Sequence, residues 1–154
     1  MIGTAQWGSS YGTYNKTGRC NNYEVNNILQ FMRDNNVADI DTSLLYGDAH
    51  GRLNSSACVD MRIYSKIRID IDDLSSQSIA NVADYPLQLN NIYGLSIHNA
   101  DIVQDSKFER AVDHLHQIKE FFNIPKIGIS IYDTDQLEKL YQTWCPDIIQ
   151  IPLN

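Results

Sequence analysis

The chain has 154 residues, with 12 Lys and Arg against 19 Asp and Glu for a formal net charge of -7, and it is 43% hydrophobic and 20% charged. Those proportions suit one ordinary globular domain over residues 1–154, long enough to bury a core. The acidic balance argues against a nucleic-acid partner, which demands a basic face, but leaves room for a small anionic ligand held by a few local donors.

Short β-branched runs alternate along the chain with helix-patterned segments. Runs near Ile2–Trp7, Val37–Thr42, Arg62–Ile67, Ile92–His98, Lys126–Ile131 and Ile148–Leu153 read as strands. Several are apolar at consecutive positions, as in Ile148-Ile149, which suits strands covered on both faces. Asn22–Asn35 places Val25, Ile28, Leu29 and Met32 on one helical face, with Asn22 as the expected N-cap. Weaker helix signals lie at Asp48–Cys58 and Leu74–Ala83. Ser106–Phe122 carries apolar residues at helical spacing, with Ser106 and Glu109 in a capping-box arrangement. Asp133–Trp144 repeats the pattern and Pro146 closes it.

The alternation implies an α/β fold with about six parallel strands and five crossover helices. A doubly wound open sheet and part of a barrel both fit that pattern. The polar residues lean toward the barrel: Asp41, Lys66, His98, Ser130 and Gln150 all fall at or near strand ends. In a (β/α) barrel those ends share one mouth, where active sites lie. No basic region precedes an apolar stretch at Met1-Ile2-Gly3-Thr4, and no apolar run approaches the ~20 residues of a membrane span, so neither a signal peptide nor a membrane partner is expected. Cys20, Cys58 and Cys145 are odd in number and far apart, which favours reduced thiols in the cytoplasm over a disulfide framework or a zinc site. The sequons at Asn15 and Asn54 are then read as chance. His114 and His116 are two apart on a helix and point different ways, so surface positions are expected and no metal site.

Taken singly, each polar residue has a bland reading. Asp41-Thr42-Ser43 makes a turn or cap, Tyr46 a loop aromatic, Lys66 a rim cation and His98 a hydrogen-bonded structural imidazole. Together they describe proton transfer. A phenol with a reference pKa of about 10 is too weak an acid to protonate an alkoxide readily at neutral pH, and an ammonium beside it favours the phenolate. A carboxylate paired with that lysine makes burial of the amine tolerable, and an imidazole orients a carbonyl oxygen. Asp41, Tyr46, Lys66 and His98 supply those four roles.

At these residues the sequence resembles the aldo-keto reductases. Ile40-Asp41-Thr42-Ser43-Leu44-Leu45-Tyr46-Gly47 is similar to their aspartate-to-tyrosine block, with the same five-residue step, and Tyr64-Ser65-Lys66-Ile67 to their third-strand lysine. Leu95-Ser96-Ile97-His98-Asn99, Ile127–Tyr132 and Asp147–Asn154 resemble strands four, five and six, in order over essentially the whole chain. Gly3-Thr4-Ala5-Gln6, Tyr11-Gly12 and Asn15-Lys16-Thr17-Gly18 resemble bacterial members of polysaccharide-cluster type. The resemblance implies an incomplete (β/α)8 TIM barrel and an oxidoreductase that reduces a small-molecule carbonyl with NADPH or NADH. It implies Tyr46 as proton donor, Lys66 and Asp41 as its tuning pair, and His98 as the carbonyl-orienting group. Cofactor contacts map onto Gly3, Thr4, Ala5, Asp41, Ser130 and Gln150, and no metal is implied.

Two local departures stand out: His50 where the family commonly has Glu, and Asn54 where it has Gly. A barrel of this kind has eight strands in about 250 residues, and six are expected here. The family's remaining strands carry the aromatic that stacks on nicotinamide and the basic site for the adenosine phosphates. The expectation is therefore an N-terminal portion that holds the acid–base residues and is inactive alone if truncated. A second reading is a non-catalytic half-barrel acting as a binding or assembly module, self-associating through open sheet edges. Sugar-phosphate isomerase or aldolase chemistry with Lys66 as a Schiff base suits the Tyr46 and Asp41 neighbours less well.

Overall fold

The structure is a computed structural model that describes residues 1–53, 58–75 and 92–152. Most of the expected Leu74–Ala83 helix, part of the Asp48–Cys58 helix and the end of the last expected strand lie outside those residues. Chain contacts divide the molecule into two compact units, one founded on Met1–Ser65 and the other on Tyr93–Asn154 with the chain that follows Lys66.

The first unit opens with β1 (Ile2–Gly3) and a single helical turn, α1 (Ala5–Gly8). The expected strand through Trp7 is thus corrected: pairing stops at Thr4, and α1 turns Trp7 inward, where it is 1% exposed. Helix α2 (Asn22–Asp34) buries Val25, Leu29 and Met32. Its cap is Asn21 rather than Asn22. Asn21 Oδ1 accepts the Glu24 N–H (3.0 Å) while Glu24 Oε2 accepts the Asn21 N–H (2.7 Å), a reciprocal capping box. The helix ends as Asn36 takes a φ of 56° and the Val37 N–H returns to the Met32 carbonyl at 2.8 Å. β2 (Asp39–Asp41), α3 (Ala49–Leu53) and β3 (Arg62–Ile67) follow, the last two residues of β3 belonging to the second unit. Ile40, Ile63, Leu53, Met61 and Cys58 join Trp7 and the α2 face in one core. Each fully buried large side chain there contributes roughly 1.5–3 kcal/mol.

The second unit contains β4 (Ile92–Ile97), a 3-10 turn at Ala100–Gln104, α4 (Phe108–Phe122), β5 (Lys126–Ser130), α5 (Thr134–Thr143) and β6 (Ile148–Gln150). The expected capping box at Ser106 does not form. α4 begins at Phe108 with Lys107 at the cap position and no side-chain cap bond, because residues 105–107 make a tight turn in which Asp105 accepts the Lys107 N–H at 2.8 Å. Asp133 does cap α5, accepting the Gln136 N–H at 2.8 Å. His114 is another correction. It lies in the buried stripe of α4 beside Leu115 and Ile118 and is 4% exposed, whereas His116 faces outward and meets the Trp144 ring edge to face.

The six strands form a sheet in the order β1-β2-β3-β4-β5-β6. Registers are parallel: Gly3 pairs with Asp41, Asp41 with Tyr64, Leu95 with Ile127 and Ser130 with Gln150. A doubly wound sheet reverses its strand order at a switch point, and this order has no reversal, so the barrel topology is the one adopted.

Asp147 pins the start of β6 to β5. Its carboxylate accepts the Ile127 N–H (3.0 Å) and pairs with Lys126 (3.0 Å) and Lys119 (3.5 Å), and its own N–H donates to the Ile127 carbonyl (3.0 Å). The Ile127 amide first, then the two lysines, hold this carboxyl below the usual carboxylate range. Its stabilisation is therefore present above the unfolded-state value and disappears as pH falls through the lower folded-state value. Asp147→Asn is expected to cost about 1–2 kcal/mol in urea unfolding at pH 7, with the difference closing at strongly acid pH. Burial, only partly opposed by Asp73, lowers the His114 pKa from 6.5. The unfolded chain then takes up a proton before the native one, so stability falls as pH drops below 6.5 toward the lower native value. Thermal melts across pH 7 to 5 are expected to show this slope in the wild type and a shallower one in His114→Gln.

Candidate active site

In the first unit the sequence-predicted residues gather at the ends of β1 and β2. Gly3 and Asp41 are register partners and the last residues of their strands. Thr4 is fully buried: its N–H donates to the Asp41 carbonyl (3.0 Å), its hydroxyl lies 3.1 Å from the same oxygen, and it bonds the Thr42 hydroxyl at 2.8 Å. Thr4 thus holds the main chain of Asp41, while Gly3 is exposed and Ala5 is half-buried. Thr42 continues the ladder by donating to the Tyr64 carbonyl at 2.9 Å.

The turn after β2 is fastened at both ends. Ser43 is fully buried; its hydroxyl accepts the Leu45 N–H (3.1 Å) and its carbonyl accepts the Tyr46 N–H (3.1 Å). The Tyr46 carbonyl then accepts the Ala49 N–H at 3.1 Å, which starts α3. Tyr46 is half-buried against the core of this unit. His50, the departure noted in the sequence, is 3% exposed and bonds the Ser65 hydroxyl at 2.8 Å, fixing α3 to β3 one residue before Lys66.

The second unit holds the other predicted residues. Lys66, next to last in β3, is 3% exposed. His98 directly follows β4, and its N–H donates to the Ile67 carbonyl at 2.8 Å. Ser130 and Gln150 are the last residues of β5 and β6 and stand as register partners. The Ile131 N–H donates to the Gln150 carbonyl at 2.9 Å, which closes this pair of strand ends.

Sequence reasoning missed Asn99. Its carboxamide donates to the Ile69 carbonyl and accepts the Ile69 N–H, both at 3.1 Å, so one side chain imitates a strand and extends the pairing beyond β3 and β4. The signal was present as the Asn beside His98, but its partner is thirty residues away. Near it, Arg68, Asp70, Asp101 and Asp105, with Ile69 and Ile102, line an open pocket of about 400 Å³. Lys107 pairs with Asp72 at 2.5 Å on this side, which lowers the Asp72 pKa and raises that of Lys107. Among the described residues, no group of three His, Cys, Asp or Glu side chains is set to hold a metal ion, and no helix is long and apolar enough to cross a membrane.

No protein-family model matches the chain, and no curated protein matches it either. Solved structures do match. A protein assigned as an aldo-keto reductase from Pseudomonas aeruginosa superposes with a TM-score of 0.71 at 21% identity, over 97% of this chain and 61% of its own. The glycerol dehydrogenase from Gluconobacter oxydans gives a TM-score of 0.62 at 20% identity, over 99% of this chain and 50% of its own. The Gox0644 variant crystallised with NADPH gives 0.60 at 17% identity, over 86% of this chain and 50% of its own. The chain therefore spans from half to about three fifths of the length of these proteins. At such identities the likeness is one of architecture, and the architecture of this chain is that of the aldo-keto reductase barrel through its sixth strand.

Proposed function

We propose that this protein is an aldo-keto reductase that converts the carbonyl of a small molecule to an alcohol with a hydride from NADPH or NADH. One observation carries the reading: strand after strand ends on a residue able to do chemistry. Asp41 closes β2, Lys66 is next to last in β3, His98 follows β4, and Ser130 and Gln150 close β5 and β6.

In this reading Tyr46 is the proton donor. As the carbonyl carbon gains a hydride, its oxygen takes the phenol proton, and the phenolate left behind regains a proton from solvent. Lys66 and Asp41 tune the phenol and His98 orients the carbonyl oxygen, the roles their resemblance to the family assigns. The main chain around Tyr46 is bonded on both sides, which suits a donor whose position must not wander. Thr4 contributes by holding Asp41, since its own hydroxyl is engaged within the fold.

A nicotinamide cofactor, when bound, supplies the hydride. The residues present suit one: a hydroxyl at Ser130 and a carboxamide at Gln150 on adjacent strand ends offer the donors and acceptors that a nicotinamide amide needs. Gly3 is exposed with open space where a Cβ would stand, which leaves room at the end of β1 for a ligand to approach the backbone. One neighbour of the same fold holds NADPH in its crystal, which favours the same cofactor here. Three free cysteines suit a reducing cytoplasm as the setting.

The test is NADPH fluorescence titration of the 154-residue chain, joined to carbonyl-dependent NADPH oxidation with a panel of small aldehydes and ketones. Tyr46→Phe is expected to lower turnover by about 10²- to 10⁴-fold and to leave cofactor binding unchanged. Equal turnover in that variant removes Tyr46 as the acid. Absence of both cofactor binding and turnover in the wild type removes activity of these 154 residues by themselves, which span half to about three fifths of the matched proteins.

A further inference from the structure

A largely buried guanidinium ties the turn bearing Tyr46 to a loop distant in sequence. Arg52 lies on α3, six residues beyond Tyr46, and its side chain is 11% exposed. Its Nη1 donates to the Cys20 carbonyl at 2.7 Å, and its Nε pairs with Asp48 Oδ2 at 3.4 Å. The other Asp48 oxygen accepts Arg19 Nη1 at 3.0 Å. Arg52 thus reaches the loop entering α2 and the turn entering α3 at once.

Both partners are themselves shaped to receive it. In the loop, Asn15 donates to the Tyr11 (3.0 Å) and Gly18 (2.9 Å) carbonyls and accepts the Thr17 (3.0 Å) and Gly18 (2.9 Å) N–H groups. The Cys20 N–H donates to the Gln6 carbonyl at 2.9 Å, so the carbonyl that Arg52 grips belongs to an ordered segment. In the turn, Gly47 takes a φ of +55° and Gly8 packs directly on the Tyr46 carbonyl, where any Cβ overlaps that oxygen. No side chain separates the two backbones there.

The exposed Arg19–Asp48 pair, with side chains 47% and 52% exposed, is worth little alone. Arg52 differs, because it is largely buried and bridges two backbone segments. Its removal strands the Cys20 carbonyl and takes a charge-assisted partner from Asp48.

We infer that Arg52 is a positioning residue for Tyr46, locking the turn that carries the phenol onto the loop of residues 9–21. The inference rests on the reading of Tyr46 as proton donor, but its test does not depend on turnover. 3-Fluorotyrosine placed at position 46 of the full chain reports the phenol directly by fluorine NMR. The wild type gives one narrow resonance. Arg52→Ala broadens it or moves it toward the shift of the free amino acid. Arg52→Lys restores it in part, because an ammonium reaches one of the two acceptors. Arg62→Ala, which breaks the equally close Arg62–Asp39 pair (2.7 Å) elsewhere in the same unit, leaves it unchanged and controls for general loss of stability.

If Arg52→Ala does not fold, Asp48→Asn is read in its place and is expected to broaden the signal to a lesser degree. A wild-type resonance in the folded Arg52→Ala chain, or in Asp48→Asn where that variant stands in, overturns the inference. Where the chain turns over, kcat in Arg52→Ala falls by on the order of 10- to 10²-fold while KM stays near the wild-type value. Loss of activity in Tyr46→Phe decides the acid separately, so the two ideas stand or fall on different measurements.

Discussion

The site depends on one repeated backbone hydrogen bond at the strand ends. Just beyond a strand, an N–H donates to a carbonyl of a neighbouring strand: Thr4 to Asp41 (3.0 Å), Thr42 to Tyr64 (2.9 Å), His98 to Ile67 (2.8 Å) and Ile131 to Gln150 (2.9 Å). Each bond adds about 1 kcal/mol net, and leaving such a buried group unpaired costs about 1–3 kcal/mol. Their larger effect is geometric. Side chains alternate along a strand, so a register slip of one residue carries each to the opposite face. Pairing through the last residue fixes whether Ile40 or Asp41 enters the core, and Ile40 is fully buried.

Beyond these ladders each unit has its own fastening. The first relies on polar side chains: Thr4 bonds the Asp41 main chain, Ser43 the Leu45 main chain, and His50 the Ser65 hydroxyl. The second uses Asn99 to extend β3 toward β4 and Asp147 to start β6 against β5. In both, a polar side chain takes over where the regular ladder stops. Candidate site residues such as Asp41, Ser130 and Gln150 thereby stand on paired strand ends rather than on free loops.

The strands were legible because β-branched runs need no distant partner to be recognised, and Arg62–Ile67 came out to the residue. Helix faces such as Val25, Leu29 and Met32 were equally plain from their period. The errors lie where tertiary contact overrides local pattern. Ile2–Trp7 read as a strand because its apolar residues are contiguous, yet the close approach of Gly8 to Tyr46 favours a helical turn from Ala5. Ser106 and Glu109 have the spacing of a capping box, but Asp105 captures the turn first. His114 read as a surface residue because it lies two residues from His116 on a helix, so that the two imidazoles point different ways. Its burial follows from the stripe it shares with Leu115 and Ile118 on α4. Candidate site residues were legible by type and strand position. What holds them, such as Arg52 on Cys20 or Asn99 on Ile69, was not, because those partners are thirty or more residues apart.

The burial of Lys66 bears most directly on whether these residues serve the fold or a reaction. It is 3% exposed, with Ser65 and Ile67 buried on either side. Removing an ammonium from water costs several kcal/mol, and even a well-paired buried ion is matched or bettered in stability by an apolar side chain of similar volume. β3 is otherwise built from such side chains, with Ile63 and Ile67 at 0% and 1% exposed. The same reasoning applies with less force to Ser130, at 6% exposed among isoleucines on β5. Stability alone does not favour a buried amine or hydroxyl at these two strand ends, and the proton-transfer and cofactor roles proposed for them supply a reason. That asymmetry distinguishes Lys66 from Lys107 or Lys126, whose ion pairs are exposed and consistent with solubility alone.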